Sequence, residues 1–598
     1  MPSPSSDLPS SLRSLGRSLS LGLKAEPVLL VLAGVTTVAA AVPDALVALG
    51  LRELVQAGVD RDGSGLLVAA AFLAVLATAS WLLTVAGERV NLRLAEKSAV
   101  HVETHVAALQ ATVAGIEHHE RAEHVDRLSV LRDHASALSQ LYRSLFLTTG
   151  AVVRLLLTIG LLVSVEPLLG LLVLFAVPTV VVTNRRAAVE KDTEERGAQS
   201  RRLARHLFVL GSTAAPGKEV RVAGVQRRLR DQRHEAWLRS YAPLARQRWI
   251  SAGWQAGAWA LFAAAFVGAV AHVASGQEVG VAGTVALVLT AGSRLSAYIG
   301  QTVGEAHFLR STWLDVSRRM VWLEDYAAAR AGAADVPVPE RLDRGIELHG
   351  VSFRYADADR AALDGVDVRL PAGAVVAVVG ENGAGKSTLV KLLCRFYQPS
   401  AGRITVDGVD LARFPVEQWR NRISGAFQDF ARFEYTVQES VGLGDRERVD
   451  DRAATAAAVR RAGADEVLAG FDAGYDTQLG ITWPGGVEVS VGQWQRLALA
   501  RGFMREDPLL LVLDEPTSAI DAETEHALFE RYAEAARADR ASGRITVLVS
   551  HRFSTVRMAD LIIVLDGAGV VEQGSHDELV RRGGKYAELY AIQAAGYR

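Results

Sequence analysis

The sequence predicts a multidomain chain: a six-helix α-helical transmembrane domain with long cytoplasmic helical extensions, followed by an α/β domain of the P-loop type. Three observations carry this. Six long apolar runs lie before about residue 320. Arginine and lysine crowd into two of the gaps between those runs. A glycine-rich phosphate-loop pattern follows a β-branched run at residues 375–387. With 598 residues, more than one folding unit is expected.

Residues 1–26 lack the compact apolar core and small-residue cleavage site of a secretory signal. Leu8, Leu12, Leu15 and Leu19 fall at helical spacing, with Arg13 and Arg17 off that line. The segment reads as a short amphipathic helix on the inner membrane surface.

A spanning helix needs about 20 mostly apolar residues at about 1.5 Å each. The candidates within 27–325 are Pro27–Leu51, Gly65–Gly87, Phe146–Val165, Leu168–Val182, Gly253–Val273 and Val279–Val303. The third and fourth meet at a tight turn, Glu166–Pro167. The gaps 88–145 and 183–252 are long and keep a helical pattern. The second holds Arg185, Arg186, Lys191, Arg196, Arg201, Arg202 and Arg205 among others, whereas the short loops after Val165 and Val273 hold no Lys or Arg. The positive-inside rule therefore puts both long arms, the N-terminus and the C-terminal half in the cytoplasm of a multi-pass membrane protein. A formal net charge of -2 gives no pull toward nucleic acid, and no such partner is expected.

Two charged residues interrupt the spans. Arg154 falls near mid-bilayer, where a charge costs about 2.5–3.5 kcal/mol on insertion scales, so it is expected to face a bundle interior or a wet cavity. Asp44 follows Pro43, where a kink is expected. Two readings stand: Arg154 and Asp44 line a substrate path, or they form a structural ion pair. The one cysteine, Cys394 in an apolar helix face, reads as a core residue and excludes a disulfide framework.

Residues 326–344, rich in Ala, Pro and charge, read as a linker. From 345 to 598, strand and helix signals alternate, which predicts an α/β sheet covered on both faces. Gly380, Glu381, Asn382, Gly383, Ala384, Gly385, Lys386 and Ser387 match G-x-x-x-x-G-K-[ST], with Thr388 next. The glycines let successive N–H groups turn toward phosphate oxygens, and the helix starting near Lys386 adds its positive end. Lys386 reaches the outer phosphates and Ser387 a Mg²⁺ ion. Downstream, "LLLVLDEPTSAID" ends a strand in Asp514, a metal carboxylate, and Glu515, a base for water. His551 ends the next strand and is placed to touch the γ-phosphate and orient Glu515.

"VSVGQWQRLALARG" followed by "LLLVLDEPTSAID" resembles the signature and magnesium-site region of the ATP-binding cassette family. The six spans with two long arms resemble its exporter-type membrane domain, and residues 345–598 its ATPase domain, so the expected fold ends in an α/β P-loop ATPase domain. The resemblance implies that Tyr355 stacks on adenine and that Gln428 touches Mg²⁺. It implies that Ser490, Gly492 and Gln493 meet the γ-phosphate from an opposing subunit, and that Asp521 lies at the dimer seam. ATP and Mg²⁺ are the implied cofactors. The implied partners are a second half-transporter, the bilayer of a bacterial-type plasma membrane and a small-molecule substrate. A homodimer is favoured, with a heterodimer as the alternative. The implied work is ATP-driven export of a hydrophobic or amphiphilic molecule by alternating access. The alternatives are import, as of a metal–siderophore complex, and an ATP-gated membrane protein that does not pump. In the arms, "GIEHHERAEHVDRL" and "GKEVRV" from Gly217 resemble regions near the family's coupling helices.

The sequence departs from the family at Val491, which stands where the signature has its first glycine. A β-branched residue is costly there if φ must be positive, and tolerable if the position opens a helix in ordinary geometry. "ITWPGGVE" also replaces a more charged stretch.

Overall fold

The computed structural model describes residues 8–133, 138, 140–275, 280–309, 313–330, 334–356, 358–515, 540–550 and 552–596. It divides into two compact units. The first comprises residues 1–110 and 127–323, and the second residues 111–126 and 324–598.

The first unit is helical. Among the described residues, six helices are long and apolar enough to cross a membrane: Pro27–Val59, Gly63–Thr112, Leu141–Val165, Pro167–Glu194, Gln226–Ala274 and Val281–Ala306. The first five each contain one of the expected apolar runs, and the sixth starts at Val281, two residues inside the expected Val279–Val303. The helix at Gly63–Thr112 has 50 residues and that at Gln226–Ala274 has 49, far more than one crossing needs. Their charged ends therefore continue beyond the apolar stretch as the predicted arms. Pro43 and Pro178 sit inside unbroken helices.

Ala48, Leu162, Leu172, Phe262, Leu287 and Leu295 bury one another and tie five of the spans into a core. On the second span Leu67, Val68, Val75, Trp81 and Leu82 remain exposed. An apolar face of that size needs lipid or protein against it. The N-terminal segment forms the helix Ser11–Ala25. Ser14 and Ser18 are its buried face, with Ser18 Oγ 2.6 Å from Ser317 Oγ and the Tyr142 hydroxyl donating to Ser18 O at 2.8 Å. Leu12 points outward, 83% exposed.

The second unit is α/β. Strands β1 (Gly345–Phe353), β2 (Leu363–Pro371), β3 (Val375–Gly380), β4 (Ala401–Val406) and β5 (Val409–Asp410) come first in the chain. They are followed by β6 (Ile423–Ala426), β7 (Leu510–Asp514), β8 (Ile545–Val549), β9 (Leu561–Asp566) and β10 (Gly569–Gly574). An antiparallel sheet runs β2-β1-β4-β5, and a larger one runs β10-β9-β3-β8-β7-β6. In the larger sheet β9, β3, β8, β7 and β6 are parallel, and only β10 is reversed. Strands β3, β7 and β8 are buried along nearly their whole length, as continuous Val/Leu/Ile runs require when both faces are covered. Ligands in such sheets bind beyond the carboxyl ends of the strands. Those ends present Gly380, Ala426, Asp514 and Val549.

Cys394 is 2% exposed, in the core beneath β1 and β3, and burial pushes its thiol up to about 12.

Candidate functional site

The phosphate loop leaves β3 at Gly380 and enters the helix Lys386–Leu393. Gly380 has φ 151°, and a Cβ there would lie 2.3 Å from Leu565 O. Gly385, the residue before the helix, has φ 100°, and a Cβ would lie 2.4 Å from Ala362 O. Only glycine fits either position. The Lys386 side chain folds back across the loop, and its ammonium donates to Gly380 O and Glu381 O at 2.9 Å each. Burial pushes that ammonium below its ordinary range, against the pull of the Glu515 and Asp514 charges. The Glu381 side chain turns away to Lys585, 2.8 Å distant.

Ser387, Gln428 and Asp514 line one cavity of about 660 Å³. Ser387 Oγ donates to Asp514 Oδ1 at 3.4 Å. Asp514 is 6% exposed, and burial raises its pKa although the Ser387 hydrogen bond acts the other way. A hydroxyl, an amide and a carboxylate are hard oxygen donors of the kind Mg²⁺ takes. Among the described residues, no cluster of three or more His, Cys, Asp or Glu exists that could hold a metal without further ligands. Three oxygen donors leave the other positions of a six-coordinate Mg²⁺ to nucleotide phosphates and water.

Glu515 follows with φ 46°, a conformation that disfavours any residue with a side chain. Its N–H is held by Val549 O at 3.0 Å, so the β7–β8 ladder keeps it there. Strain of this kind gathers at functional positions.

Tyr355 lies two residues past β1 with its hydroxyl 3.1 Å from Thr388 Oγ1, one residue past the loop's serine. Its ring meets Phe353 and Tyr397 edge-on at 4.9 and 5.4 Å, and Lys391 Nζ lies 5.6 Å from its centroid. Lys391 in turn pairs with Glu120 at 2.9 Å, and the Tyr397 hydroxyl donates to the same carboxylate. Glu120 ends the short helix Glu117–Glu120 at the tip of the first arm, within the same unit. Ile116 N–H donates to Phe396 O, and a Cβ on Gly115 would press on that oxygen at 3.0 Å. Arg330 adds a 2.7 Å pair to Glu117. Glu120 and Lys391 went unremarked in the sequence reading, because no local motif joins residues 271 apart.

Ser490 caps the helix Val491–Gly502. Its hydroxyl accepts from Gln493 N at 3.2 Å, and Gln493 Oε1 accepts from Ser490 N at 2.9 Å. This capping box makes Val491 the first helical residue, outside the positive-φ set and 54% exposed. Valine in place of glycine is therefore tolerated. Among the described residues, no hydrogen bond joins 490–493 to 380–388. In "ITWPGGVE", Thr482 and Trp483 donate to Glu434 at 2.8 and 2.9 Å. Asp521 and His551 lie outside the described residues.

In the first unit, Arg154 and Asp44 come together, with Arg154 Nε 3.5 Å from Asp44 Oδ2. The sequence reading missed two partners. Arg294 donates to Asp44 Oδ1 and to its backbone O, each at 2.7 Å, and the Tyr298 hydroxyl donates to Oδ2 at 2.6 Å. Arg294 is a charge inside an apolar span, the same signal that marked Arg154.

The ABC transporter family profile matches residues 363–518, which span the phosphate loop, the signature and Asp514. The chain carries an ABC transporter domain. Over part of its length the chain is similar to proteins named ATP-dependent lipid A-core flippase. That of Chromohalobacter salexigens is 40% identical over 256 residues, covering 43% of this chain and 42% of the relative. Those of Cupriavidus pinatubonensis and Cupriavidus metallidurans are 41% and 42% identical over 257 and 258 residues, each match covering 43% of this chain and 42% of the relative. The chain thus matches well under half the length of these curated relatives. A solved structure, that of a bacterial Atm1-family ABC exporter with ATP bound, superposes with a TM-score of 0.75 at 26% identity, over 98% of each chain. The architecture is that of an ABC exporter with one helical membrane domain fused to one ATPase domain. Its six apolar helices make this an integral membrane protein.

Proposed function

We propose that this chain is one half of an ATP-driven exporter that works as a homodimer in a bacterial-type plasma membrane, moving a lipid-like amphiphile by alternating access. The observation that carries the reading is the joining of six membrane-capable helices to a phosphate loop, metal-side donors and a capped signature helix in one ABC fold. The flippase names of the relatives support the lipid-like cargo.

The division of labour follows from the residues. Lys386 exchanges its two carbonyl partners for phosphate oxygens, and the loop N–H groups share the charge. Ser387, Gln428 and Asp514 would hold Mg²⁺, which neutralises developing charge on the phosphates. Glu515 orients and polarises the attacking water, and His551 is assigned to the γ-phosphate. Tyr355 offers its ring to adenine. Ser490, exposed, and Gly492 and Gln493, half-buried, stand at a helix N-terminus unconnected to this chain's own loop and are assigned to the γ-phosphate held by a second copy, with Asp521 at the seam. ATP then stabilises the closed pair through contacts that exist only there.

The test is Mg-ATP hydrolysis by the purified chain in lipid, beside Glu515→Gln. Wild type is expected to exceed the variant by about 100-fold or more. Equal turnover overturns the reading, and uptake of substrate into inverted vesicles checks its direction.

A further inference from the structure

We infer that the cluster of Asp44, Arg154, Arg294 and Tyr298 receives an anionic group of the transported molecule, a phosphate or carboxylate, with Arg154 as its contact. This rests on the transporter reading above and names the chemistry of the cargo.

The first, third and sixth spans pack on one another, and each supplies one charge to their junction. By helix rise Arg154 lies roughly 16 Å from the helix end at Val165, Arg294 roughly 20 Å from Val281, and Asp44 roughly 22 Å from Val59. All three thus sit deep in a hydrocarbon layer about 30 Å thick. Two guanidinium groups face one carboxylate, which leaves a surplus of one positive charge.

Asp44 is already well supplied with donors. Arg294 occupies Oδ1, and the Tyr298 hydroxyl occupies Oδ2. Arg294 is fixed further by the Asp44 backbone carbonyl. Arg154 is the cation left over. Its Nε lies 3.5 Å from Oδ2 without hydrogen-bond geometry, is buried, and has no hydrogen-bond partner among the described residues. A pair that served only to hold helices together would need Arg294 and Asp44 alone, and a second guanidinium would add only desolvation.

The cluster is also reachable. The side chains of Arg294, Asp44 and Arg154 are 36%, 24% and 20% exposed. Charged groups this exposed at such depth face water or a polar ligand rather than acyl chains. A guanidinium fork matches phosphate and carboxylate oxygens. The same spans place Leu295, Ile299 and Ala48 in the adjoining apolar core, so a ligand that combines an anion with an apolar chain suits the site.

The experiment uses the full-length protein in phosphatidylcholine nanodiscs, without nucleotide. Binding of dodecyl phosphate is followed by tryptophan fluorescence, with dodecyl maltoside as the uncharged control and inorganic phosphate as competitor. Wild type is expected to prefer dodecyl phosphate. Arg154→Gln is expected to weaken it by about tenfold or more, and Arg154→Lys to recover part of the loss. Asp44→Asn removes the competing carboxylate and is expected to tighten binding. Displacement by inorganic phosphate at matching concentration supports the site and assigns it to a water-soluble anion. Displacement only by the amphiphile assigns it to a lipid-like headgroup. Equal affinity of wild type and Arg154→Gln, both melting at the same temperature, overturns the inference. Arg154→Met stands in if the Gln variant fails to fold, and the Arg154 variants decide alone if Asp44→Asn does. Mg-ATP hydrolysis by the same wild-type sample separates the two failures. Intact hydrolysis with indifferent binding sinks only the anion site, whereas absent hydrolysis sinks the transporter reading.

Discussion

Lys386 and Arg154 are both cations drawn out of bulk water, one in each unit, and they are held in opposite ways. Lys386, 7% exposed, finds two carbonyl oxygens within six residues of itself. Arg154 finds one carboxylate on another span, already engaged by Arg294 and Tyr298. The phosphate site is thus a short, self-supporting piece of chain that can carry its charge at rest. The membrane cluster exists only once three spans have packed. Local sites tolerate change elsewhere, and assembled ones depend on every helix that feeds them.

The sharpest way to break this contrast is Lys386→Ala. It removes the charge that the phosphates meet, and hydrolysis is expected to fall by about 1,000-fold at saturating ATP. A fall below tenfold in a steady-state assay would mean that the loop backbone suffices and that the carbonyl-bound lysine is structural.

Glu120→Gln tests an intermediate case, an assembled contact beside a local one. Loss of the Lys391 pair is expected to raise the KM for ATP about three- to tenfold through Tyr355, with kcat little changed. An unchanged KM would cut the arm tip out of nucleotide binding. The pH dependence has a definite sign. Burial pushes the Glu120 carboxyl up, but the Tyr397 hydroxyl and the Lys391 ammonium outweigh it and hold the group below its usual range. Burial pulls the Lys391 ammonium down, but the Glu120 hydrogen bond together with the charges of Tyr355, Glu120 and Asp429 outweighs it and holds the group above its usual range. The contact is therefore full at neutrality. It is lost as pH falls through the lowered carboxylate value or rises through the raised ammonium value. The KM gap between wild type and Glu120→Gln is expected to be constant near pH 7 and to close at both extremes.

Val491→Gly is the mildest change. With Val491 exposed in the first helical turn, hydrolysis is expected to stay within about twofold of wild type, or to rise slightly, since glycine weakens a helix start only a little. A collapse in rate would make the valine a contact in its own right.

The same contrast explains what the sequence revealed. The turn of Gly380 to Thr388 into a helix could be read because each residue's conformation is fixed by its neighbours a few positions away. The six spans could be read because hydrocarbon imposes length and composition on each separately. Asp44 and Arg154 stand out as charges in apolar runs; Arg294 carries the same signal in the sixth span, but nothing local ties it or Tyr298 to the other two. The meaning of Arg294 and Tyr298 depends on Asp44, about 250 positions earlier. The seating of residues 111–126 in the ATPase unit was hidden likewise, since Glu120 meets Lys391 and Tyr397 only in three dimensions. Val491 was ambiguous until its backbone placed it inside a capping box.

The sealed sulfur of Cys394 has a practical corollary. With the chain's one thiol enclosed and its proton held up to about 12, maleimides and spin-label reagents at neutral pH will pass it by. Reporter cysteines can be set on either arm of the native protein, and the distances between them followed as nucleotide is added, without first engineering a thiol-free background.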